Sequence, residues 1–148
     1  MDLLTYPVLH VDDDPSMTAL VSRLVGNMGA DCIALNDSTL AMDYIRAHEI
    51  RVVITDLDMP GLHGLELLQQ IKRFDGGINV IVFTSLVSQS SVIQSLRRGA
   101  SDCVFKPLRD PQLLVGAVQL AFENVDHWRN ILRELYAAKH EHSILAHS

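Results

Sequence analysis

The chain is short of several things, and each shortage excludes something. Its two cysteines, Cys32 and Cys103, are too few and too far apart for a disulfide framework or a zinc knuckle. Both stand inside apolar, strand-like runs, the usual setting of buried reduced thiols. Aromatic residues make up 5% and charged residues 20%, against 48% hydrophobic, so the hydrophobe-poor, charge-rich composition of a disordered chain is ruled out. Basic residues are outnumbered: twelve Lys and Arg face eighteen Asp and Glu, for a net charge of -6. No run of Lys and Arg supplies the electrostatic footprint that a phosphate backbone requires, so direct nucleic-acid binding is not expected. No apolar run approaches the roughly 18 residues of a membrane span, and Met1 to Pro7 carries Asp2 where a secretory leader would be basic. The expectation is a soluble cytoplasmic protein. Its 148 residues suit one domain and an appendage.

What is present is an alternation of short apolar runs with longer segments of helical period, the mark of a parallel sheet covered by helices. Val8 to Val11 reads as a strand that stops at Asp12-Asp13-Asp14-Pro15. Met17, Leu20, Val21, Leu24, Val25 and Met28 then recur at helical steps until Gly29. Cys32 to Leu35 is a second strand, followed by a helix capped by Asp37 or Ser38, and Val52 to Ile54 is a third strand ending at Asp56. A helix carrying Leu65, Leu67, Leu68, Ile71 and Phe74 follows. Val80 to Phe83 is a fourth strand ending at Thr84; a helix of Val92, Ile93 and Leu96 leads to a fifth, Val104-Phe105, ending at Lys106-Pro107. The last helix begins after Asp110-Pro111. Its apolar positions Val118, Ala121, Val125, Trp128, Leu132 and Leu135 continue at alternating steps of three and four, so it extends past residue 122 either as a seam for a partner or as a tail folded on its own domain. Trp128 is a partner-face anchor in the first case and a covering residue in the second.

The polar residues fall at strand ends. Asp12 and Asp13 follow the first strand, Asp56 ends the third, Thr84 the fourth and Lys106 the fifth. In a parallel sheet these carboxyl ends share one edge, where open α/β sheets bind ligands. Carboxylates gathered there repel one another, at 4 Å by roughly 1 kcal/mol per pair in bulk water and about 4 at an effective dielectric of 20. A hard, oxygen-seeking cation such as Mg²⁺ suits them better than zinc, which favours His or Cys. The seven histidines form no helical metal pattern, and none is assigned as a ligand.

The runs Val11-Asp12-Asp13-Asp14-Pro15 and Asp56-Leu57-Asp58-Met59-Pro60-Gly61-Leu62-His63-Gly64, the pair Thr84-Ser85, and Gly99-Ala100 followed by Lys106-Pro107 together resemble the receiver domain of two-component response regulators, over about residues 7 to 122. The resemblance implies a three-layer, flavodoxin-like (βα)5 fold with a five-stranded parallel sheet in the order 2-1-3-4-5. The receiver would span 1–122, with 123–148 a helical extension or a linker towards an output domain. It implies Asp56 as the phosphoryl acceptor, and Asp12, Asp13, Asp56 and the backbone carbonyl of Asp58 as Mg²⁺ ligands, directly or through water. Thr84 and Lys106 would contact phosphoryl oxygens, and a cis peptide is expected before Pro107. The partner would be a sensor histidine kinase or a phosphotransfer protein. A homodimer would form through the C-terminal helix or the face of helix four, strand five and helix five. Apart from slow self-phosphorylation from small donors and self-dephosphorylation, no enzymatic activity is implied.

One position departs from the pattern. Three residues before the lysine the family carries Tyr or Phe as a switch, and here stands Cys103, with Phe105 on the same strand face. Two other functions compete. Asp56-Leu57-Asp58 also reads as the Asp-x-Asp of a haloacid-dehalogenase-like phosphatase, although such a motif usually lies near the N-terminus and its cap needs more chain. A phosphorylation-independent interaction module, working through the last helix, is the other.

Overall fold

Five short runs of mostly β-branched and aliphatic residues become strands in a computed structural model that describes residues 6–146, with side chains to residue 142. The strands are β1 (Val8–Val11), β2 (Cys32–Leu35), β3 (Val52–Thr55), β4 (Asn79–Thr84) and β5 (Asp102–Phe105). The helices are α1 (Pro15–Asn27), α2 (Ala41–Ala47), α3 (Gly64–Phe74), α4 (Gln89–Arg97) and α5 (Pro111–Ala146). All strand pairs are parallel and the sheet order is β2-β1-β3-β4-β5, as expected. Parallel strands need long crossovers, and the crossover helices cover both faces, which is why β1, β3 and β4 are apolar along nearly their whole length.

Strand alternation divides the core in two. Val8, Ile54, Ile81, Phe83 and Val104 face α1 and α5, where Val21, Val25, Leu114, Val118 and Phe122 meet them. Leu9, Val11, Val53 and Val80 face α2 and α3, against Ile45, Leu67, Leu68 and Ile71. Asp14 caps α1 by accepting from the Ser16 N–H, with Pro15 in the first turn.

Local details depart from the sequence expectations. Asp37 caps a short 3-10 turn, Ser38–Leu40, and α2 starts only at Ala41. On α4 the expected apolar residues Ile93 and Leu96 are exposed, while Ser91 and Ser95 are buried. Burying these serines is affordable because each hydroxyl donates to a carbonyl of its own element or loop: Ser95 to Ser91 O at 2.8 Å and Ser91 to Leu86 O at 2.9 Å. Phe74, expected inward, is half-exposed with the Arg46 guanidinium 5.9 Å from its ring centre. The two thiols are free but only half-buried.

Helix α5 is one continuous helix through residue 122, and at about 1.5 Å per residue its 36 residues span about 54 Å. Val118, Ala121 and Val125 are buried on the domain, whereas Trp128, Leu132 and Leu135 further along the same stripe are more than half exposed. The tail therefore does not fold back over this stretch. No helix among the described residues is long and apolar enough to cross a membrane. Residues 1–5 and 147–148, to which the expectations about the leader and the tail extend, lie outside the described residues.

Candidate phosphoryl-acceptor site

The strand order places β1 and β3 side by side while the chain leaves β1 for β2 on the other flank, so a crevice opens beyond their carboxyl ends. Asp12 follows β1 and Asp56 follows β3. The two are tied by a ladder bond from the Asp56 N–H to Val11 O at 3.1 Å. Asp12, Asp13 and Asp56 each offer a carboxylate oxygen within 4.8 Å of the others. Asp12 and Asp56 are buried and Asp13 is exposed at the mouth.

Lys106 reaches in from the end of β5. Its Nζ donates to Asp12 Oδ2 at 2.6 Å and to Asp56 Oδ2 at 3.1 Å. The remaining oxygens are held by backbone: Asp14 N–H donates to Asp12 Oδ1 at 3.0 Å, and Leu57 N–H to Asp56 Oδ1 at 2.7 Å. The Lys106–Pro107 peptide is cis. Burial raises the pKa of Asp12 although the Lys106 and Asp14 hydrogen bonds pull the other way. Burial alone would lower that of Lys106, but hydrogen bonding to Asp12 and the charge and hydrogen bond of Asp56 overcome it and raise it.

The other expected residues are placed as follows. Thr84 is buried at the end of β4, and its Oγ1 accepts from the Leu86 N–H at 3.0 Å, fixing the β4–α4 loop rather than touching Asp56. The Asp58 side chain is exposed and stands outside the acidic group, so only its backbone is available for the role expected of it. Cys103 packs partly against Leu57, Leu65 and Val82, and burial together with the nearby Asp102 charge raises its thiol pKa. It lines a groove of ≈ 540 Å³ with Val87, Phe105, Pro107 and Leu113, where an aromatic ring at 103 would have room.

Three residues of the site have no role assigned to them in the sequence reading. Gly64 opens α3 with its Cα against the backbone of Asp56 and Leu57, close enough that a Cβ would meet Asp56 O at 1.9 Å. Asn36 Nδ2 donates to Asp12 O at 2.9 Å, tying the ends of β1 and β2. His10 is fully buried two residues before Asp12, and neither ring nitrogen has a hydrogen-bond partner among the described residues. A buried donor left unpaired costs about 1–3 kcal/mol. The available signal was the strand period of two, which puts residues 10 and 12 on the same side.

The model of the family described as response regulator receiver domain matches residues 8–119. DNA-binding response regulator MtrA of Mycobacterium tuberculosis is 29% identical over 126 residues, which are 85% of this chain and 54% of that protein. Transcriptional regulatory protein ZraR of Klebsiella oxytoca is 31% identical over 101 residues, 68% of this chain and 23% of its own length. The chain thus spans about half, or less, of these relatives. Among solved structures, the receiver domain of the Francisella response regulator 1452 superposes with a TM-score of 0.74 at 25% identity, covering 80% of this chain and 98% of that one. A BeF3-activated DrrB receiver domain gives 0.70 at 27%, covering 80% and 97%.

Proposed function

The chain belongs to the response regulator receiver domain family, and from that membership we propose that it accepts a phosphoryl group on Asp56 from a phosphohistidine of a sensor kinase or phosphotransfer protein. The observation that carries this reading is the pairing of Asp56 Oδ2 with Lys106 at 3.1 Å inside a group of three carboxylates. Leu57 N–H fixes Oδ1, so the carboxylate is presented in one orientation. A carboxylate oxygen attacks phosphorus, the new P–O bond forms as the P–N bond of the donor breaks, and the imidazole leaves with that electron pair. Asp56 needs no general base, because the ionised carboxylate already holds its lone pair.

The donor set fits a divalent cation. Two of the three carboxylates, those of Asp12 and Asp56, share one ammonium, and all the candidate ligands are hard oxygens. Asp12, Asp13 and Asp56, with the Asp58 carbonyl, would hold Mg²⁺, which when bound supplies charge neutralisation for the transferred group. Lys106 would contribute a second positive charge to the phosphoryl oxygens, and the Thr84 O–H a hydrogen bond. Incubation with acetyl phosphate and Mg²⁺ is expected to add one phosphoryl group per chain, and Asp56→Ala to add none. Undiminished labelling of Asp56→Ala would overturn the assignment.

The stripe Trp128, Leu132 and Leu135 on α5, and Ile93, Leu96, Phe105 and Leu113 on the α4–β5–α5 face, are exposed. They favour self-association as the response, with 1–122 acting as receiver and 123–148 as a linker. DNA contact of the kind named for MtrA is not assigned to this chain, whose net charge of -6 does not suit it to nucleic acid.

A further inference from the structure

Beneath the acidic pocket lies a side chain that phosphoryl transfer, as described above, leaves idle. The His10 ring is fully buried on β1, and both of its nitrogens lack a hydrogen-bond partner among the described residues. Its neighbours Val8, Leu9 and Val11 show what the strand otherwise carries. An aliphatic residue would satisfy this environment without desolvating an imidazole. An imidazole carries at least one ring N–H, which it can offer to an acceptor on the Nε2 side.

The position of that ring is specific. His10 Nε2 stands 3.9 Å from Asp12 Oδ2, the same oxygen that Lys106 Nζ holds at 2.6 Å. Lys106 is also shared, since Asp56 Oδ2 is its second acceptor at 3.1 Å. A phosphoryl group on Asp56 offers Lys106 stronger acceptors than a single carboxylate oxygen. Once Lys106 turns to them, Asp12 Oδ2, with no solvent exposure, gives up the ammonium hydrogen bond whether or not Asp12 also holds Mg²⁺, and an approach of about 1 Å brings the imidazole into hydrogen-bond range.

We propose that His10 is a positioning residue that relieves Lys106. As Lys106 moves from Asp12 to the phosphorylated Asp56, His10 Nε2–H donates to Asp12 Oδ2 and keeps that carboxylate partnered and oriented. Asp12 thereby has two alternative donors, one for each state of the switch. The inference rests on Asp56 being the phosphoryl acceptor.

The test uses the whole chain, with beryllofluoride and Mg²⁺ as the probe. Long-range ¹H–¹⁵N spectra of the imidazoles are recorded with and without the probe, and binding is compared among the native chain, His10→Leu and His10→Gln. The expected result is a downfield shift and slowed solvent exchange of the His10 Nε2 proton on binding. His10→Leu is expected to bind about tenfold more weakly, as loss of a hydrogen bond to a charged group implies, and His10→Gln, which keeps an N–H donor, to recover most of that loss. Unshifted His10 resonances in a native chain that binds the probe would overturn the proposal. So would a folded His10→Leu that binds as tightly as the native chain, or a His10→Gln no better than His10→Leu. If the leucine variant does not fold, the spectra of the native chain decide. Absence of any probe binding by the native chain would instead strike the phosphoacceptor reading, and this inference with it.

Discussion

Replacing Gly64 by alanine tests how tightly the β3–α3 connection is drawn around Asp56. Gly64 is the first residue of α3, and its N–H donates to Leu57 O at 2.9 Å. A Cβ at this position would sit 1.9 Å from Asp56 O, 2.6 Å from Leu57 Cα and 2.8 Å from Asp56 C. All three are backbone atoms, so no side chain can swing away; either the end of β3 or the start of α3 must move. Overpacking costs typically 1–3 kcal/mol, and backbone contacts this close put the variant at about 3 kcal/mol. The lower entropy of unfolded alanine returns about 0.5–1 kcal/mol, leaving a net loss of about 2 kcal/mol. For a chain of this size that lowers Tm by about 4–8 °C. Gly116→Ala is the control, because a Cβ there meets nothing within 4 Å and the site lies inside α5. It is expected to gain about 0.5–1 kcal/mol. Thermal melts by circular dichroism, backed by urea titrations with unchanged slope, measure both. Acetyl phosphate labelling of Gly64→Ala should also slow, since the displaced atoms belong to Asp56 itself. A Gly64→Ala chain that melts at or above the native temperature would refute the argument.

Three other outcomes are expected. Burial raises the Asp12 pKa above the ordinary 3.8, so the folded chain holds that proton more tightly than the unfolded one. The stability tied to this group is fully present below pH 3.8 and is lost as pH rises through the folded value. Asp12→Asn should therefore be more stable than the native chain at neutral pH and lose that advantage in acid, as urea midpoints at the two pH values will show. Cys103→Tyr should fold with a stability change under about 0.5 kcal/mol, because the ring enters an existing groove of ≈ 540 Å³. In that variant, beryllofluoride should spread amide shifts further over α4 and β5 than in the native chain; identical shift maps would remove any switch role for residue 103. Truncation after residue 126 removes the exposed Trp128, Leu132 and Leu135 and should reduce activated self-association in solution-mass measurements while leaving acetyl phosphate labelling intact.

Much of the site was legible because the ends of parallel strands are legible. A run such as Val8 to Val11 or Val52 to Ile54 announces a doubly covered strand, and the polar residue that stops it lies at the sheet edge where ligands bind. Asp12, Asp56, Thr84 and Lys106 were all located by that logic. It failed where burial was decided by neighbours. Ser91 and Ser95 face inward on α4 because their hydroxyls are satisfied locally, which frees Ile93 and Leu96 for the surface. His10 sits in an apolar strand as any core residue would, and only its distance to Asp12 distinguishes it.

Pattern alone thus determined the α/β class and the polar residues at the strand ends, because periodicity and strand-stopping residues are local properties of the chain, while the strand order came only with the family resemblance. Tertiary structure decided what those residues do to one another. The sharing of Lys106 between Asp12 and Asp56, across 94 and 50 residues of sequence, the hold of Leu86 on Thr84, and the stranded imidazole of His10 are distances between separate strand ends. Such distances depend on register and twist across the whole sheet, which no local run of residues records.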